Sequence, residues 1–128
     1  MTRSYGIRLV ALTLGVQTKW LDNLLSHFDL TGVTRSRQGV SREISHPGLV
    51  RIEVIRSLNA ELGIPLAKAV QISESLRTED LEESAVYRMP SGFSLGIPVP
   101  AIERRLRERL LEAIDAVADI RRGRPKAS

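Results

Sequence analysis

The residues with chemistry to offer are basic, and they are clustered. Residues 31–42 carry Arg35, Arg37 and Arg42 without an acid, and residues 121–128 carry Arg121, Arg122, Arg124 and Lys126, again without an acid. Together the two blocks hold seven positive charges in a chain of net charge +4, so the remainder is slightly acidic. Positive charge concentrated at two places on an otherwise weakly acidic body suits contact with a polyanion at chosen points. A second set, Gln17, Thr18, Lys19, Trp20 and Asn23, has the donors and acceptors that read base edges. Amides bond adenine in bidentate fashion, and a lysine reaches guanine or phosphate.

Other chemistries find little support. Cysteine is absent, which removes disulfides, thiolate metal sites and cysteine nucleophiles together. His27 and His46 have no ligand-like spacing to a carboxylate pair, so surface or capping roles are expected for both. No nucleophile elbow, phosphate-binding loop or zinc-protease motif occurs. The expectation is a protein without enzymatic activity, metal or cofactor. At 42% hydrophobic and 27% charged, the 128 residues have the composition of an ordinary soluble protein. No apolar run approaches a membrane span and no leader is evident, so a cytoplasmic, nucleoid-associated protein is expected.

The elements that must position these residues are legible from periodicity. In residues 7–14, Ile7, Val10, Ala11 and Leu14 have helical spacing, and Gly15 supplies a left-handed stop, with Val16 turned back to the core. A second helix from about Thr18 puts Leu21, Leu24, Leu25 and Phe28 on one face. Two short helices joined by a tight glycine turn outline a helix-turn-helix. Residues 32–34 and 42–44 then pair as a hairpin with a polar tip holding Arg35, Arg37, Gln38 and Ser41, in the position of a wing. Ser45 is an N-cap and Pro47 a first-turn proline for a helix with the stripe Leu49, Ile52, Ile55, Leu58 and Leu62, closed by Gly63. Ile64-Pro65 opens a fourth helix with Leu66, Ala69, Val70 and Ile72 or Ser73 inward, ending near Leu76.

Residues 5–76 resemble the DNA-binding domain of the MerR family. The resemblance rests on Val10-Ala11 and Leu14-Gly15-Val16, on Lys19 and Leu21, and on Gly39 and Arg42 in the hairpin. It continues with Leu49 and with Leu62-Gly63-Ile64-Pro65-Leu66. It implies a winged helix-turn-helix whose second helix enters the major groove of duplex DNA, and a dimer formed through a C-terminal helix. Asp22, Asn23 and Ser41 stand where the family has an arginine and two aromatics, so its base preferences do not carry over. Asp22 would lie near phosphate in that docking mode, and is expected to cap or to pair with a basic neighbour. Trp20 is placed either at the base edges or, beside Leu21 and Leu24, against the core. Thiol-based sensing, which some family members use, is excluded here.

The second half divides from the first at the acidic residues 78–84. Residues 85–99 carry Val86, Phe93, Leu95 and Ile97 around Pro90-Ser91-Gly92 and read as a small β-hairpin. Pro98 and Pro100 start a last helix, about 101–120. There Leu106, Leu110, Ala113, Val117 and Ile120 follow the 4-3-4-3 spacing of a short coiled coil, widened by Leu111, Ile114 and Ala118. That seam suits dimerisation, with packing of the helix on its own domain as the other reading. In the tail, Arg122-Gly123-Arg124-Pro125 is similar to the core of an AT-hook, which lies in the minor groove of A·T-rich DNA; a general phosphate-binding tail is the alternative.

The expected architecture is mainly α with small β elements: a winged helix-turn-helix over 1–77, a hairpin and dimerisation helix over 78–120, and a basic tail over 121–128. The expected function is a dimeric, sequence-specific regulator of transcription on double-stranded DNA. The alternatives are an antitoxin that binds its own operator and neutralises a protein partner through its C-terminal half, and an excisionase-like DNA-bending accessory.

Overall fold

In the computed structural model the chain is mainly helical, with two small antiparallel sheets. Residues 3–34, 42–76 and 83–121 are described. In chain order the elements are β1 (Ser4–Gly6), α1 (Ile7–Leu14), α2 (Thr18–His27), β2 (Glu43–Ser45) and α3 (His46–Leu62). They are followed by α4 (Leu66–Glu74), β3 (Ala85–Arg88), β4 (Ser94–Ile97) and α5 (Val99–Arg121).

The first helix forms as its spacing predicts, with Val10, Ala11 and Leu14 buried. Gly15 at φ 70° ends it, and the Gly15 and Val16 amides return to the carbonyls of Leu12 and Ala11. The chain restarts as α2 after the two residues Val16 and Gln17, with Leu21, Leu24 and Leu25 buried on one face. Ser45 caps α3, its hydroxyl accepting from the Gly48 amide at 3.2 Å, and Pro47 lies in the first turn where its missing N–H is harmless.

Helix α3 is the centre of the molecule. Leu49, Ile52, Ile55 and Leu58 are buried as expected, and Val50, Arg51, Glu53 and Val54 are buried with them, so the helix is enclosed on nearly every side. Leu62, expected in the stripe, is instead exposed at the helix end. Helix α4 packs on α3 through Ala69, Val70, Ile72 and Ser73.

Strand β2 lies between two partners. Ile44 pairs with Tyr5 of β1 and bridges to Val33 on the other side. The pairing of residues 32–34 with 42–45 is present, through Thr34 N–H to the Glu43 carbonyl and Ser45 N–H to the Gly32 carbonyl. Strand β1 was not foreseen. Gly32 sits against the start of α3: a Cβ there would lie 2.7 Å from Gly48 Cα, and one on Gly48 would lie 2.6 Å from the Gly32 oxygen.

The second hairpin forms where the sequence reading places it, and its register sets the faces. Ala85 and Tyr87 pair with Ile97 and Leu95, and these four form the half-buried or buried side. Val86 pairs with Gly96 on the opposite, outer side, because side chains alternate along a strand. Phe93 lies beyond the paired segment, in the turn that the Met89 N–H closes onto the Phe93 carbonyl, and is 77% exposed.

The last helix brings the larger correction. Leu106, Leu110 and Ala113, expected at a seam between two copies, are buried within the chain, where α5 packs on α1 and α3. A helix tethered to complementary apolar faces covers them before any second copy can. The core therefore does not divide near residue 78: Ile97, Val99, Ile102, Leu106 and Leu110 belong to the same apolar cluster as Val10, Leu21 and Ile55. Only the end of the seam escapes, with Val117 partly covered and Ile120 66% exposed.

Candidate nucleic-acid interface

With Leu21, Leu24 and Leu25 sealed inward, α2 presents Thr18, Lys19, Asp22, Asn23 and Ser26 to solvent, and Gln17 is exposed at its N-cap position. The sequence-expected residues Gln17, Thr18, Lys19 and Asn23 thus share one accessible surface. Trp20 is divided from them: it is partly buried and packs against the core, so most of its ring serves folding.

Arg42 is brought to this helix by the start of β2. Its Nη1 donates to Asp22 Oδ1 at 3.0 Å, and its Nη2 to Ser26 Oγ at 3.3 Å. Ser26 Oγ in turn donates to the Asp22 carbonyl at 2.8 Å. Residues 22 and 26 are one helical turn apart, so a guanidinium can span both. The pair is asymmetric in exposure, with Arg42 at 18% and Asp22 at 59%. The expected basic partner of Asp22 is therefore Arg42. The role of Ser26 was not anticipated, and its spacing of four from Asp22 is the signal that would have found it. Arg35, Arg37 and Gln38 of the hairpin tip, and Arg122, Gly123, Arg124 and Pro125 of the tail, lie outside the described residues.

Both histidines have protein partners. His27 Nδ1 donates to the Asn23 carbonyl at 2.7 Å, and His46 Nε2 donates to Glu103 Oε1 at 3.0 Å. Among the described residues no cluster of three His, Cys, Asp or Glu side chains could hold a metal. Glu103 also accepts from Arg107. Burial alone would push its carboxyl up, but the hydrogen bonds from Arg107 and His46 outweigh it and hold Glu103 below the ordinary carboxylate value.

A second ionic group is structural. Glu53 is fully buried and accepts from Arg56 Nε, which is held above its ordinary value by that hydrogen bond; Arg109 Nη1 lies 3.8 Å from the other carboxylate oxygen. Arg51, also buried, donates to the Leu76 carbonyl at 2.6 Å, and Ser73 Oγ donates to the Arg51 carbonyl. These ties lock α4 and α5 onto α3 and are not aimed at a ligand.

A groove of about 1200 Å³ runs between the start of α1 and the end of α5. Ile7, Leu9, Ile114, Val117, Ala118 and Ile120 are its apolar lining, and Asp22, Ser26 and Arg42 line it as well. Among the described residues no helix is long and apolar enough to cross a membrane.

The chain matches no protein-family model, no curated protein and no solved structure.

Proposed function

We propose that the chain binds double-stranded DNA as a MerR-like winged helix-turn-helix protein, with α2 in the major groove, and acts in transcriptional regulation. The observation that carries this reading is the solvent-facing row of Gln17, Thr18, Lys19 and Asn23 on a helix whose other face is sealed, with Arg42 anchored beside it. Such a row suits base edges, and flanking arginines suit phosphates. The basic residues of the hairpin tip and the Arg122–Pro125 tail would add backbone or minor-groove contacts. No catalytic role, metal or cofactor is assigned. The test is a titration of duplex DNA at several salt concentrations: affinity should fall steeply with salt, and affinity indifferent to salt would sink the phosphate contacts.

The protein works as a pair in this proposal. Leu111 and Ile120 are 60% and 66% exposed, Ile114 is 37% exposed, and the groove walls add Ile7 and Leu9. A second copy would cover these apolar residues, in place of the expected seam through Leu106, Leu110 and Ala113. Two copies would read half-sites one or more helical turns apart.

One observation favours a second reading. Val86 and Phe93 are 65% and 77% exposed on the outer side and tip of the β3–β4 hairpin. A contact for a partner protein there would fit an antitoxin that also binds its operator. Co-purification of one stoichiometric partner, lost on Phe93→Ser, would select that reading.

A further inference from the structure

We propose that Asp22 is a specificity-determining residue, accepting a hydrogen bond from the N4 amino group of a cytosine in the major groove. The inference rests on the DNA-binding reading above, but moves Asp22 from the phosphate side, where the MerR resemblance would put it, to a base edge. An acidic side chain on a surface meant for a polyanion is repulsive unless it is neutralised or used. Here Arg42 neutralises it, and does so from one side. Nη1 takes Oδ1, the side chain remains 59% exposed, and no described residue donates to Oδ2.

The carboxylate is also held in place. Arg42 is tied at the same time to Ser26 Oγ and approaches the Asp22 carbonyl at 3.5 Å, so the ion pair cannot swing freely about the helix. Oδ2 is thus an unshared acceptor on an exposed residue of α2, about one helical turn from Lys19 and from Ser26 in sequence, at the side of the helix that also lines the groove toward the end of α5. Ionised carboxylates only accept. In the major groove, guanine offers two acceptors and thymine one, and each would repel Oδ2. Adenine has a donor but sets an acceptor beside it. Cytosine alone presents its donor without an adjacent acceptor on the same base. The geometry therefore selects by rejection as much as by attraction.

The experiment is selection from a randomised duplex pool by the full chain and by Asp22→Ala and Asp22→Asn. The wild type should favour cytosine at one position of each half-site by about tenfold, the scale of one good base contact. Asp22→Ala should lose that preference while keeping the others. Asp22→Asn, near-isosteric and able to donate and accept, should move it toward adenine. If Asp22→Ala selects the same bases and merely changes affinity for every duplex alike, Asp22 only anchors Arg42 and the proposal is overturned. Should Asp22→Ala fail to fold, the Asp22→Asn profile decides in the same way: an unchanged cytosine preference overturns the proposal. Recovery of no duplex by the wild type at any salt concentration would instead overturn the DNA-binding reading, and this inference with it.

Discussion

Arg42 reaches from the start of β2 to Asp22 in the middle of α2, with Nη1 to Oδ1 at 3.0 Å, and so fastens the strand to the helix proposed to meet DNA. The contact joins two elements separated by fifteen residues in sequence. An arginine that holds its own protein on one edge still has a positive field to offer a phosphate on the other. Its planar fork, unlike an ammonium, can satisfy both geometries at once.

Arg42→Ala should therefore weaken binding to every duplex, reduce the salt slope by about one counterion, and loosen the cytosine preference assigned to Asp22, whose carboxylate Arg42 holds. Arg42→Lys should keep most of the slope while losing part of the affinity, since a lysine cannot bridge Asp22 and Ser26 together. Salt titrations on two unrelated duplexes would check both. A salt slope unchanged by Arg42→Ala would remove Arg42 from the phosphate contacts.

Glu53 is fully buried against Arg56. Glu53→Met should cost about 3 kcal/mol by leaving the Arg56 charge uncompensated, the low end of the range for a broken buried pair because Arg56 is partly exposed. Glu53→Met with Arg56→Met should recover most of that loss. Urea unfolding of the two single variants and the double variant gives the coupling energy directly.

Glu103 links α5 to the start of α3 through His46, and Arg107 holds it from one turn along α5. Its folded carboxyl titrates below the ordinary value, so the stability it contributes is fully present above about pH 4.3, the unfolded glutamate value, and is lost as pH falls through the folded one. Glu103→Gln should lower stability at neutral pH and flatten the acid limb of a stability–pH curve. An acid limb unchanged by Glu103→Gln would remove Glu103 from the account.

Gly48 and Gly63 should respond differently to alanine. At Gly48 a Cβ would meet the Gly32 carbonyl, which is backbone and cannot swing aside, so Gly48→Ala should cost about 1–3 kcal/mol by overpacking. Gly63 faces open space but sits at φ 66°, so Gly63→Ala should cost about 1–2 kcal/mol from conformation alone. Amide exchange should separate them: Gly48→Ala should raise exchange at residues 32–34, and Gly63→Ala should not.

On α5 the two ends of one stripe should behave oppositely. Leu106→Ala should cost about 2–5 kcal/mol of stability, as for any large core truncation. Ile120→Glu should leave the fold intact and abolish self-association in sedimentation. A pair that survives Ile120→Glu would place the second copy elsewhere.

Much of the N-terminal half could be read locally. Val10, Leu14 and Gly15 specify a helix and its end within a few residues, as do Ser45 and Pro47 at the start of α3. Strand β1 could not be read, because Ser4, Tyr5 and Gly6 have no pattern of their own and are extended only through Ile44. The α5 stripe was visible, but periodicity states that a face is apolar and not what covers it. Likewise Asp22 could be seen to need a cation, while Arg42 became its partner only through the return of the chain at β2.

The packing of α1 on α5 bears on how the molecule is made as well as on what it does. Helix α1 leaves the ribosome well before α5, from which it is distant in sequence. The side of α1 that α5 covers must therefore wait, bare, until α5 follows. Contacts so distant in sequence close slowly, and an exposed face during that interval invites chaperones or aggregation. A chain cut short before Leu106 would keep that face open, so translation that stalls there should give an insoluble product rather than a folded N-terminal fragment.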